Sequence, residues 1–363
     1  MMYESVVRQG IGHTVSGVYQ PIEYGEIAQL ARAHGSYPWC RGFESPSRYL
    51  IWMAESIDCG YAFRIFCNNS LYLGLVDEMN IIWMDGGLGN QMFQYALALK
   101  MQSLGIQVKI DVTKYAQHHV HNDFELDQVF GIDCPLADGS EIRRLGYVKG
   151  NHWTEFLKKT PFRKKTVYNN ESYAYDEQVL RLDGCYIEGY WQSEKYFQDI
   201  RGKILEVYRF PDFPEEQNIW AERIQHSCAV SMHIRRGDYL QYPYLQNICT
   251  EDYYRRSMDY FRKILPDPPV FYIFTNDHAW AEAHFTEEDC CFVKGYTGKD
   301  SFRDMQLMSL CRHHIIANSS FSWWGAWLGQ NPDKIVIAPE RWINYAEDEK
   351  IDVIPEDWVT VKG

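Results

Sequence analysis

The stretch that decides the fold is Met79 to Val112, MNIIWMDGGLGNQMFQYALALKMQSLGIQVKIDV. Asn80 to Met84 is a short apolar run, and Asp85-Gly86-Gly87-Leu88-Gly89-Asn90 is a glycine turn. From Gln91 to Gln102, Met92, Phe93, Ala96, Leu97, Leu99 and Met101 recur at near-helical spacing. Gln107 to Val112 then reads as a second strand. Strand, glycine turn, helix and strand open a doubly wound α/β domain, which places ligands at the strands' carboxyl ends. The turn matches only two of the three small-residue positions of a dinucleotide fingerprint, because Met92 stands where Gly or Ala would let helix and strand pack closely. A nicotinamide enzyme is therefore disfavoured, while an anion or sugar can still approach the glycine backbone.

The same alternation resumes after a proline-punctuated link at Arg209 to Gln217, RFPDFPEEQ. Helices are expected over Asn218–His226 and Glu251–Leu265, and strands over Ala229–Ile234, Val270–Thr275, His314–Ala317 and Lys334–Ala338. A helix through Trp323 to Leu328 is expected to pack on that sheet through Trp323, Trp324 and Trp327. Domains are thus expected at 79–210 and 211–363. Residues 1–78 show no sustained period. Back-translated, Arg41-Gly42-Phe43-Glu44-Ser45 resembles the GGTTCGA(A/G)TCC arm of a transfer-RNA gene, and the upstream AQLARAHGS resembles its D arm. A non-native or disordered extension behind a misplaced start is the expectation, with the fold beginning at Met79.

Composition narrows the function. A net charge of −13 argues against a nucleic-acid partner. An aromatic content of 15% suits either core packing or stacking on sugars. Ten cysteines with no C-x-x-C pair suit free thiols in a reducing compartment, and no apolar run reaches membrane-spanning length. The expected location is cytoplasmic, or peripheral to the inner membrane. The basic run Lys158, Lys159, Arg163, Lys164, Lys165 reads as a solvated loop. Neither His118, His119 and His121 nor the scattered Asp123, Asp127 and Asp133 has the spacing of a metal site, and adjacent Cys290 and Cys291 read as packing.

The chemistry gathers in two motifs. In His233-Ile234-Arg235-Arg236-Gly237-Asp238, strand alternation sends His233 and Arg235 to one side and Arg236 to the other. Paired arginines at a strand end call for an anion such as a diphosphate, with Asp238 able to hold a guanidinium in place; a structural ion pair is the bland alternative. Further on, Asp304 precedes a strand and the loop Asn318-Ser319-Ser320. A carboxylate there can accept two hydrogen bonds from guanine, and the following helix N-terminus suits phosphate oxygens.

The segments GGLGNQMFQYALA (Gly86–Ala98), GYWQSEKYF (Gly189–Phe197), HIRRGDY (His233–Tyr239), DMQLMSLCRHHIIANSSFSWWGAWL (Asp304–Leu328) and IAPERW (Ile337–Trp342) occur here in this order. Together they resemble the bacterial α-1,2-fucosyltransferases of glycosyltransferase family eleven. The resemblance implies a GT-B fold, two Rossmann-like domains facing each other across a cleft, with GDP-fucose held mainly by the second. It implies inverting, metal-independent transfer of L-fucose from GDP-β-L-fucose to the 2-hydroxyl of a galactose-containing acceptor. By motif position His233 and Asp304 would meet guanine. Arg235, Arg236, Asn318, Ser319, Ser320 and the loop Gly86, Gly87, Gly89, Asn90 would hold the rest of the donor. Gln91, Trp191, Gln192 and Glu194 would face the acceptor, and Arg235 with Asp238 would be catalytic. Related α-1,6 enzymes carry a glutamate after this motif, whereas Tyr239 to Leu245 here has no carboxylate. The base is then Asp238, an acid such as Glu194, or unnecessary in a loose, oxocarbenium-like transition state. A fucosyltransferase of α-1,6 type and a catalytically silent glycan-binding protein are the rival readings.

Overall fold

A computed structural model describes residues 79–117, 122–146, 165–214, 218–344 and 351–363, and five short strands before them. The transfer-RNA-like stretch, the histidines 118–121 and the basic residues 158–164 lie outside the described residues. The chain divides into two compact units, Met1–Glu78 and Met79–Gly363. In the first, β1 (His13–Val15) pairs antiparallel with β2 (Val18–Gln20), and β3 (Ile51–Met53), β4 (Ala62–Phe66) and β5 (Ser70–Gly74) form an antiparallel meander.

The second unit contains two parallel sheets. One has the order β7-β6-β9-β8, from β6 (Met79–Trp83), β7 (Gln107–Asp111), β8 (Val167–Asn170) and β9 (Tyr186–Gly189). The other has the order β12-β11-β10-β13-β14-β15, from β10 (Cys228–Ile234), β11 (Pro269–Thr275), β12 (Cys290–Phe292), β13 (His313–Ile315), β14 (Val336–Pro339) and β15 (Val359–Val361). Helices cover these sheets, which is why β10 is buried almost throughout and reads as a continuous apolar run. Two parallel sheets flanked by helices agree with the α/β class expected from the sequence.

Helix α1 (Leu88–Ser103) follows β6 and buries twelve of its sixteen residues. Helices α2 (Asn218–Gln225) and α3 (Glu251–Ile264) flank β10; Thr250 caps α3 by accepting from the Tyr253 N–H. Helices α4 (Phe302–Leu310) and α5 (Ser320–Leu328) flank β13. The three tryptophans of α5 reach beyond the sheet they were expected to cover. Phe93 of α1 lies 4.5 Å from Trp323 and 4.9 Å from Trp324 between ring centroids, and Phe197 stacks on Trp324 at 5.4 Å. On another face of α5, a Cβ at Gly325 would come within 3.0 Å of Met308 Cβ on α4. Helix α5 is therefore a wedge shared by both halves of the unit. Cys290 and Cys291 pack into different hydrophobic clusters on opposite faces of β12, as strand alternation requires.

Candidate active site

Strand β10 ends at Ile234 and delivers the charged motif to the carboxyl edge of its sheet. His233 is 6% exposed; burial, then the neighbouring Arg235 charge, push its pKa down to about 3, so the ring is neutral. Its backbone is pinned by Tyr254, whose hydroxyl donates to the His233 carbonyl at 2.9 Å. The ring Nδ1 is buried and has no partner. Arg235 Nη2 donates to Asp238 Oδ2 at 2.9 Å, and the guanidinium lies 5.4 Å from the Tyr239 ring centroid. Its buried Nε also lacks a partner. Two unpaired polar nitrogens on one strand end are costly unless a ligand completes them.

Arg236 turns the other way. Its Nε donates to Asp277 at 3.2 Å and its guanidinium stacks 4.0 Å above Trp280. The cavity that Arg235 and Arg236 line, of about 200 Å³, is closed by Tyr239, Leu245, Cys249 and Asn318.

Asp304 sits in the first turn of α4, half-buried, accepting from the Tyr296 N–H at 3.3 Å. Burial pushes its carboxyl up to about 7. Gly295 lies beside it: a Cβ there would be 3.5 Å from Asp304 Oδ2 and 3.6 Å from His278 Nε2, ordinary contact distances. His278 and Gly295 complete this pocket beside the β11 end, and no motif flagged either one.

Two helix N-termini converge on the same region. Ser319 occupies the N-cap position of α5 without a side-chain capping bond, and Ser320 opens the helix half-exposed. The first N–H groups of such a helix have no intrahelical acceptor and favour an anion. The N-terminus of α1 is pressed against them. A Cβ at Gly89 would lie 2.6 Å from the Ser320 carbonyl carbon and 2.7 Å from the Phe321 nitrogen, and Trp324 Nε1 donates to the Gly89 carbonyl at 3.0 Å. Gly86 and Gly87 thus lead the first sheet's carboxyl end directly to α5.

Several residues expected to touch ligand have partners within the protein. Gln91 is fully buried; its amide donates to the Gly86 and Asp123 carbonyls and accepts from the Glu125 N–H. Gln192 bridges Asn90 (2.8 Å) and the Trp342 indole (3.0 Å). Trp191 is 4% exposed and packs on Tyr168 and Tyr196. Glu194 accepts from Trp327 Nε1 at 2.9 Å, which puts it near the far end of α5, about 10 Å along the axis from Ser320. Asn318 spends its amide on the Leu245 and Trp342 carbonyls. Gln91, Gln192, Glu194 and Asn318 are thus each tied to a partner distant in sequence, and Asn318 also lines the cavity beside Arg235. Among the described residues, no group of three His, Cys, Asp or Glu is arranged to hold a metal ion.

An arginine-lined cavity at the carboxyl edge of the second parallel sheet, with unpaired buried nitrogens on His233 and Arg235 and the N-terminus of α5 nearby, is the kind of site a glycosyltransferase needs for a nucleotide-linked sugar. The chain belongs to the family described as Glycosyl transferase family 11, whose model matches residues 152–362. It is 32% identical to the alpha-1,2-colitosyltransferase of Escherichia coli over 76% of this chain and 97% of that one. It is 28% identical to the O-antigen biosynthesis glycosyltransferase WbnK of Escherichia coli, over 77% and 99%. With the galactoside alpha-(1,2)-fucosyltransferase 1 of Lagothrix lagotricha it shares 27% identity over 68% of this chain and 64% of that protein. Among solved structures, the NodZ alpha-1,6-fucosyltransferase co-crystallised with GDP aligns at 16% identity over 68% of this chain and 91% of that one, with a TM-score of 0.39.

Proposed function

We propose that this enzyme transfers L-fucose from GDP-β-L-fucose, with inversion, to the 2-hydroxyl of a galactose on a surface glycan or its lipid-linked precursor. The work would be done in the cytoplasm, at or near the inner membrane. Among the described residues no helix is long and apolar enough to cross a membrane. One observation carries the reading: the unpaired His233 Nδ1 and Arg235 Nε beside the α5 N-terminus.

In this reading guanine donates to Asp304, and the diphosphate lies between Arg235 and the first N–H groups of α5. As the glycosidic bond breaks, negative charge grows on the β-phosphate, and a guanidinium already fixed by Asp238 stabilises it without reorganisation. Asp238 accepts from Arg235, and Asn276 Nδ2 lies 3.4 Å away, so it serves as an orienter. Glu194 accepts from the Trp327 indole, which favours a mechanism that does not draw on it as a base. The acceptor proton then departs late, after the anomeric carbon has become cationic.

GDP binding by calorimetry separates this reading from a silent glycan-binding protein, which needs no diphosphate site. Linkage analysis of the product from GDP-fucose and lactose separates α-1,2 from α-1,6 transfer. A parallel reaction with an activated colitose donor tests the sugar that the Escherichia coli relative's name gives. Folded Arg235→Ala should lose roughly two to three orders of magnitude in turnover, and Arg235→Lys should recover little of it. Near-normal turnover in Arg235→Ala would reduce the Arg235–Asp238 contact to a structural ion pair.

A further inference from the structure

The segment after the arginine motif lacks a carboxylate but shows aromatic faces. Tyr242 and Tyr244 are 45% and 39% exposed, with ring centroids 5.6 Å apart. The segment is held in place by Asn344, whose N–H donates to the Tyr244 carbonyl at 3.0 Å and whose amide donates to the Pro243 and Gln246 carbonyls at 2.8 and 2.9 Å.

A third exposed tyrosine comes from the first sheet. At the carboxyl end of β9 the chain makes a strained turn. Gly189 has φ 156°, and a Cβ there would lie 2.6 Å from the Asn170 carbonyl oxygen. Trp191 has φ 57°, a left-handed conformation that costs an aromatic residue about 1–3 kcal/mol. That turn buries Trp191 and leaves Tyr190 38% exposed. Such strain persists where the surroundings over-determine it, as at ligand sites. The Tyr190 hydroxyl lies 3.5 Å from Asp85 Oδ2, and Asp85 is itself fixed by Lys114 and by the Gly86 N–H at 2.6 Å.

Hydrogen bonds tie the two segments together: Gln192, two residues after Tyr190, accepts from the Trp342 indole at 3.0 Å, and Asn344, two residues after Trp342, holds the Tyr244 segment. Burial raises the Tyr190 phenol pKa, and the nearby Asp85, Tyr173 and Tyr244 raise it further. Burial likewise pushes Tyr173 up to about 12, with Tyr239 and Tyr244 adding to it. Tyr239, at the start of the segment that carries Tyr242 and Tyr244, has its ring centroid 5.4 Å from the Arg235 guanidinium. Flat rings with polar tips suit the apolar face and hydroxyl rim of a pyranose, and their continuity with Arg235 places that sugar next to the donor.

We propose that Tyr190, Tyr242 and Tyr244 form the acceptor subsite, a platform on which the terminal hexopyranose of a neutral glycan stacks, with Asp85 anchoring Tyr190. This rests on the transferase reading above, and its test is separable from it. In the full chain, Tyr190→Ala and Tyr244→Ala should each raise the KM for lactose about ten-fold, the scale of one lost aromatic contact. GDP affinity and the slow hydrolysis of GDP-fucose without acceptor should stay unchanged. Tyr190→Phe, which keeps the ring, should restore most of the KM. Saturation-transfer NMR with lactose reads the subsite directly even if no fucose is transferred: the signal should weaken in both alanine variants. Unchanged KM and unchanged NMR signal would overturn the proposal. So would a loss of GDP affinity parallel to the KM effect, which would assign these tyrosines to loop structure.

Discussion

The Asp304 carboxyl offers a quantitative check on the donor site. Free in the protein it titrates at about 7, well above the ordinary aspartate range, because it is desolvated in the pocket with Gly295 and His278. A guanine ring presents N–H donors, and these require the carboxylate. Below pH 7 binding must therefore expel a proton, so affinity falls as pH falls. If the bound carboxyl titrates below pH 5, linkage makes the dissociation constant about ten-fold larger at pH 6 than at pH 8. His233, at about 3, stays neutral across this window and adds no slope. The ligand should be GDP-fucose, whose diphosphate is a diester with no group titrating there, whereas the terminal phosphate of GDP would contribute a slope of its own. Calorimetry in buffers of different ionisation enthalpy should show proton release of about one half at pH 7. Asp304→Asn should bind more weakly and lose the pH slope. The free protein provides the sign check: a carboxyl raised on folding stabilises the fold most at acid pH and loses that contribution as pH rises through about 7. Binding that is flat between pH 6 and 8, or an Asp304→Asn variant that keeps the wild-type slope, would refute the placement of guanine at this carboxyl.

Three further outcomes follow from particular contacts. Gly89→Ala drives a methyl group into the backbone at Ser320 and Phe321, which cannot rotate away; a loss of about 1–3 kcal/mol in denaturant melts is expected, with weaker GDP binding. Unchanged stability would mean that the two helix N-termini do not meet as described. Turnover should survive excess EDTA, since Arg235 supplies the leaving-group charge; activity abolished by chelation and restored by Mg²⁺ would contradict that chemistry. A chain beginning at Met79, where the second compact unit starts, should match the full chain in melting temperature and kcat/KM, and failure to fold would make residues 1–78 an integral part of the protein.

What the sequence discloses and what it conceals divide along the range of the interactions involved. Strands and helices follow from local periodicity, so Asn80–Met84, Val270–Thr275 and Glu251–Leu265 each lie within two residues of the observed element. Strand β10 delivers His233 and Arg235 to its carboxyl end, and Asp304 lies in the first turn of α4. Polar residues inside the motifs were another matter. Gln91, Gln192, Glu194 and Asn318 carry the same hydrogen-bonding groups whether they meet a sugar or a distant backbone. Their tertiary partners, which the sequence conceals, are Asp123 for Gln91, Trp342 for Gln192, Trp327 for Glu194 and Leu245 for Asn318. Tyr190 was hidden for the converse reason, since an aromatic between two other motif residues reads as core. The distinguishing feature was its neighbour Gly189, because a glycine at a strand's carboxyl end permits a backbone that turns one ring inward and the next one out. In a chain with 26 tyrosines, which rings stay exposed is set by backbone conformation, and side-chain type alone leaves them indistinguishable from the core.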